Sequence, residues 1–204
     1  MRQRNDTYHL IIQPMDRRHF LAALAACAAP VAGAAPSPWP LLQRGGYVLL
    51  MRHAATVPGI GDPPGFKLGV CSTQRNLSQA GRADATRIGA AFRRHGVPVG
   101  PVLSSRWCRC VDTARLAFGR VEPSEMVDSL FRDDDAARER KLAQLRSYLA
   151  GYKDPGNLML VTHDINIRAL VGKYVEQGDI VIAVRSADGA LRIETTVPVA
   201  QLVS

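Results

Sequence analysis

The 204-residue chain has no apolar run near the roughly 18 residues that a membrane-spanning helix needs, so no such span is expected. It also lacks a basic run, aromatic side chains interleaved with basic ones, and any zinc-finger or RNP-like pattern. Its excess of positive charge therefore does not mark a nucleic-acid binder. The four cysteines show neither Cys-x-x-Cys spacing nor histidines at fixed intervals, which removes the usual case for a metal site. No internal repeat is present, which speaks against stacked-repeat architectures.

What remains is the composition of a soluble globular protein, 47% hydrophobic and 22% charged, long enough for one domain with a real core. The net charge is +8, and residues 35 onward carry 22 basic and 16 acidic groups. That balance favours an anionic partner, for which a small phosphorylated substrate suffices.

Residues 1–34 read as an extension and an address. Met15-Asp16-Arg17-Arg18-His19-Phe20-Leu21 places twin arginines before the short apolar stretch Ala22 to Ala29. Ala32-Gly33-Ala34 supplies small residues for cleavage before Ala35. The pattern resembles a twin-arginine export signal, so the working domain is expected in the periplasm or otherwise exported. Leu24-Ala25-Ala26-Cys27 also resembles a lipobox, which would make Cys27 a lipidated N-terminus, and both readings stay open. Residues 35–45, rich in proline, are expected to be a linker, with the domain proper at 46–204.

Within that domain apolar strands alternate with amphipathic helices. Strands are expected at 47–51, 99–104, 126–127 and 157–162, with a closing hairpin of 180–184 and 191–197 around Ala187-Asp188-Gly189. Helices are expected at 78–95, with Ser78 as N-cap and Gly96 as terminator, and at 112–118, 134–152 and 165–171. The alternation predicts a three-layer α/β/α fold on a mostly parallel sheet. Residues 57–70, with three prolines and four glycines, form a loop long enough to line a site.

The C-terminal ends of parallel strands are where open α/β sheets bind ligands. Three strand ends carry catalytic-looking residues: Arg52-His53 at the first strand, Arg109 after the strand at 99–104, and His163-Asp164 at the strand 157–162. Downstream of residue 34 the one other histidine is His95, at a helix end.

Four segments in order now resemble the histidine phosphatase superfamily, the phosphoglycerate mutase-like fold. Leu50-Met51-Arg52-His53-Ala54 is similar to its Arg-His-Gly signature, with Ala54 in place of glycine. Leu77-Ser78-Gln79-Ala80-Gly81 resembles Leu-Thr-x-x-Gly. Ser105-Arg106-Trp107-Cys108-Arg109-Cys110-Val111-Asp112-Thr113-Ala114 resembles Ser-x-x-x-Arg-Ala-x-x-Thr-Ala, and Val161-Thr162-His163-Asp164 resembles the late Thr-His segment. The resemblance spans most of 46–185.

With the export signal, it implies an exported phosphomonoesterase; the resemblance itself implies that the enzyme needs no metal and no cofactor and works through a phosphohistidine on His53. Phosphoryl transfer demands mainly positioning and charge stabilisation. Arg52 and Arg109 would each present a planar fork to phosphate oxygens. Their charges would also depress the His53 pKa and keep the imidazole nucleophilic. His163 would donate to the equatorial oxygens, and Thr56 would be a further substrate donor.

The leaving group needs an acid. The mutase branch places a Glu in a Leu-x-Glu context that aligns here with Ser129. The acid-phosphatase branch places an Asp after the late His, which points to Asp164, with Asp128 as the alternative general acid. The structural reading of Asp164 is an N-cap of the following helix. Arg75 is read as a surface charge with a second reading as a substrate contact. A disulfide is expected from Cys71 to Cys108 or to Cys110. Two rival functions stay open, a phosphomutase and an inactive phosphate-binding protein of the same fold. A phosphosugar of the cell envelope is the substrate expectation that export suggests.

Overall fold

The computed structural model describes residues 36–203; the export-signal segment and Cys27 lie outside them. The sheet has six strands: β1 (Val48–Arg52), β2 (Val99–Ser104), β3 (Glu122–Pro123), β4 (Asn157–Thr162), β5 (Ile180–Arg185) and β6 (Leu191–Val197). Their spatial order is β3-β2-β4-β1-β5-β6. The pairs β3–β2, β2–β4 and β4–β1 are parallel, while β5 and β6 are joined antiparallel as the expected hairpin.

Side-chain alternation along the strands divides the core between the two faces of the sheet. Leu49, Met51, Met159, Val161 and Ile182 pack beneath α2 (Gln79–Arg94) and α3 (Cys108–Phe118), beside α1 (Trp39–Leu42) and α6 (Val199–Val203). Val48, Leu50, Leu158, Leu160 and Val181 face α4 (Asp135–Gly151) and α5 (Asp164–Val171). This is the three-layer α/β/α architecture. Among the described residues no helix is long and apolar enough to cross a membrane.

Ser78 caps α2 by accepting from the Gly81 N–H at 3.0 Å, and Gly96, at φ 62°, follows its last turn. The Gly81 and Gly89 positions explain why the helix carries glycine. A Cβ at Gly81 would stand 1.9 Å from the Ala55 carbonyl oxygen, and one at Gly89 would stand 1.8 Å from that of Ala117. The helix therefore lies directly on the backbone that follows β1 and on α3.

Three expectations change. The segment 35–45 is not a plain linker, because α1 buries Leu42 completely and stacks Trp39 on His95 at 4.2 Å. Proline within a first helical turn is no obstacle, so Pro40 did not prevent it. Met126-Val127 belongs to a 3-10 turn, Glu125–Val127, and β3 is the two-residue pair just before it. Helix α3 starts at Cys108 rather than Asp112, which puts Arg109 in its first turn instead of at a strand end.

Candidate active site

Arg52 pairs with Thr162 in the parallel ladder of β1 and β4, so His53 and His163 emerge side by side. Their ring centroids are 5.6 Å apart. Ser104 pairs with Val161 in the next parallel ladder, so Ser105 emerges on the other side of His163. Three adjacent strand ends thus deliver His53, His163 and Ser105 to one place. Helix α3 adds Arg109 above them.

His53 Nδ1 is 2.9 Å from the Ala54 carbonyl, which can only accept, so this nitrogen carries the hydrogen. Nε2 keeps a lone pair and has no hydrogen-bond partner among the described residues. Burial is the main cause that pushes the His53 pKa down, to about 3, with Arg109, Arg52 and Arg75 adding to it. The two arginines lower it as expected, and desolvation, which the sequence did not suggest, is the larger cause.

A cavity of about 370 Å³ opens on these residues. Its floor is Arg52, His53, Arg109 and His163. One wall is the loop at Ile60, Gly61, Asp62 and Phe66, with Arg75 and Trp107, and the other is Ser129 to Asp133 with Asp164 and Ile165. Arg52 donates from Nη1 to the Val175 carbonyl at 2.7 Å, and its Nε is buried without a partner among the described residues. Arg109 Nε is equally unpartnered. Two buried, unsatisfied guanidinium donors beside two neutral histidines suit an anion with several acceptor oxygens.

Arg109 is held by Asp62, which the sequence reading did not single out. Its Nη1 donates to Asp62 Oδ1 at 2.7 Å, with both side chains almost fully buried. Trp107 Nε1 donates to Oδ2 at 2.9 Å and the Arg75 backbone N–H to Oδ1 at 3.0 Å. Burial pushes the Asp62 carboxyl up, but the Arg75 N–H and then Arg109 outweigh it, and the net shift is downward. The signal that could have found Asp62 is an acid in a long loop beside a strand-end arginine.

The remaining expectations divide. Arg75 is no surface charge, since it lines the cavity and donates from Nε to the Gly61 carbonyl at 2.9 Å. Thr56 is not among the cavity residues; its hydroxyl accepts from Arg75 Nη1 and from Gln177 Nε2, which makes it a support for Arg75. Asp164 lines the cavity as the first residue of α5, and the N-cap position is His163. Its Oδ1 accepts only a long 3.4 Å bond from the Val175 N–H, and its nearest cation, Arg168, is 4.0 Å from Oδ2. Asp128 is 1% exposed, does not line the cavity and is clamped by Arg106, whose Nε is 2.6 Å from Oδ2. The disulfide joins Cys71 to Cys108, and Cys110 is free and buried.

Protein-family models give no match to the sequence, and no curated protein matches it. Solved structures do. The protein histidine phosphatase SixA, determined with tungstate, aligns with 76% of this chain and 99% of its own at a TM-score of 0.52 and 14% identity. The fold is that of the histidine phosphatases. The Mycobacterium tuberculosis protein Rv3214 shares it over 74% of this chain and 97% of its own, at TM-score 0.54 and 16% identity. So does a mycobacterial glucosyl-3-phosphoglycerate phosphatase, over 74% of this chain and 98% of its own, at 0.51 and 15%. At these identities the likeness establishes the histidine phosphatase architecture, and the chemistry of this chain rests on its own residues.

Proposed function

We propose that this protein is a phosphatase that hydrolyses small phosphomonoesters through a phosphohistidine at His53. The observation that carries the reading is the state of His53: neutral, with Nδ1–H fixed on the Ala54 carbonyl and Nε2 bare beside Arg52 and Arg109. A phosphate drawn to the two arginines meets that lone pair. The Nε2–P bond forms as the ester P–O bond breaks, and charge on the equatorial oxygens is matched by the guanidinium donors.

The departing alkoxide takes a proton from Asp164. Three carboxylates border the cavity, and two are committed elsewhere, Asp62 to Arg109 and Asp133 to Lys141 at 2.7 Å. Among the described residues Asp164 has no ion pair shorter than 4.0 Å, and we assign the proton transfer to it. In the second step water attacks phosphorus, gives its proton to Asp164 and releases His53.

The finer reading adds export and a phosphosugar of the envelope as substrate. Support for a sugar comes from the cavity lining, which combines the rings of Phe66, Trp107 and Phe131 with the polar Ser129, Asp133 and Asp164. The test is hydrolysis of para-nitrophenyl phosphate and of a panel of phosphosugars, with EDTA present. His53→Ala is expected to lose more than about a thousandfold in kcat on every substrate. Asp164→Asn is expected to lose about a hundredfold or more on the sugars and little on the aryl ester, whose leaving group needs no proton. Undiminished turnover in His53→Ala overturns the proposal.

A further inference from the structure

Asp128 is a buried carboxylate that the mechanism above leaves unused. Its Oδ1 accepts from the Arg106 backbone N–H at 2.7 Å and from the Ser105 hydroxyl at 3.3 Å; its Oδ2 accepts from Arg106 Nε at 2.6 Å and Nη2 at 2.5 Å. Asp128 can accept from the Ser105 hydroxyl, and with that hydrogen directed to the carboxylate the serine oxygen is free to accept from His163 Nε2, 2.8 Å away. Cys110 agrees. Burial pushes its thiol up to about 12, the thiol can donate to the Thr162 carbonyl at 3.7 Å, and the sulfur faces the same Nε2 at 3.5 Å. Arg109 Nη2, which can only donate, stands 3.5 Å from Nδ1, so Nδ1 accepts and Nε2 carries the hydrogen.

Nδ1 is then the lone-pair nitrogen of neutral His163. In this tautomer His163 has nothing to donate to a phosphate. It gains a donor only as an imidazolium, with Nε2–H on Ser105 and Nδ1–H toward the phosphoryl oxygens.

We propose that Asp128, acting through Ser105, is the positioning residue of His163: the carboxylate–serine–histidine chain fixes the Nε2–H tautomer and stabilises the imidazolium that forms when the phosphate group enters. This rests on the phosphatase reading of the site. The groups facing His163 are Arg52 and His53 after β1, Arg75 from the loop, Arg109 and Cys110 from α3, and Ser105 backed by Asp128. Burial first, then His53 and the three arginines, holds His163 well below its ordinary pKa. The negative charge of the phosphate offsets those cations, and the proton on Nδ1 comes from the monoanionic ester or from water. Only the chain to Asp128 then favours the charged ring from behind.

The first measurement is the nitrogen NMR spectrum of the whole protein with labelled histidine at neutral pH, with His163 assigned by its loss in His163→Asn. An Nε2–H tautomer is expected, and an Nδ1–H tautomer overturns the proposal whatever the enzyme turns over. The second is the pH profile of kcat on an alkyl phosphate. Ser105→Ala keeps the Asp128–Arg106 pair and is expected to move the alkaline limb down by about one pH unit, in proportion to a lost charge-assisted hydrogen bond. Asp128→Asn is expected to move it the same way, and the double variant no further. An unmoved limb in Ser105→Ala overturns the relay. Absence of any turnover in the native protein counts against the phosphatase reading, and the tautomer still decides the relay.

Discussion

Arg109 brings a cation into a nearly closed setting, and Asp62 is what makes that tolerable. Breaking a buried pair by neutralising one partner strands the other charge, typically at 3–5 kcal/mol. Asp62→Asn keeps the side-chain shape and leaves Arg109 uncompensated at 6% side-chain exposure. It is therefore expected to lower unfolding stability by about 3 kcal/mol, and inorganic phosphate, by supplying the missing negative charge, is expected to restore much of that. Urea titrations with and without phosphate check both parts, and native-like stability without phosphate would count against the pairing. The residues that touch phosphate in the proposed mechanism were legible because each sits in a short motif at a strand end or just beyond one. Asp62 and Ser105 were not recognised for what they do, and Arg75 only as a second reading, because their roles depend on how an aperiodic loop and a strand-end turn fold back over that motif.

The elements show the same division. The long apolar strands β1, β2 and β4 and the capped helix α2 follow from periodicity and Ser78 alone. β3 was misplaced, being two exposed residues with no pattern to detect, and the start of α3 was missed because Trp107 offers no capping side chain. The sequence left two pairings open for Cys71, and the structure selects Cys108, the residue adjoining Arg109. That bond ties the segment after the loop to the first turn of α3 across a separation of 37 residues. On the chain-entropy account such a closure contributes about 3–4 kcal/mol. Replacing Cys71 and Cys108 together by serine is expected to lower unfolding stability by that amount. With Arg109 less firmly held, KM for an aryl phosphate should rise more than kcat falls. Denaturant titration and steady-state kinetics on the double variant read the two effects separately, and unchanged stability would reject the constraint.

At the scale of the whole molecule, the site makes folding sensitive to acid. His53 is held neutral down to about 3 and His163 well below 6.5, burial being the largest cause for both. An unfolded chain protonates both rings near pH 6.5. Between that value and the folded pKa values the unfolded state binds more protons than the native one, so stability rises with pH and falls on acidification. Each ring contributes a slope of about 1.4 kcal/mol per pH unit, so lowering the pH from 6.5 to 5 removes about 2 kcal/mol per histidine. The depressed Asp62 carboxyl acts in the same direction but only below about 4, where its unfolded counterpart protonates. The urea midpoint is therefore expected to fall steadily from pH 7 to pH 5. His53→Gln and His163→Gln, which leave nothing to titrate at those positions, should each flatten about half of that slope. A midpoint that stays level across this range would mean that the two rings are not held neutral in the native protein, and the nucleophile assigned to His53 would lose its physical basis.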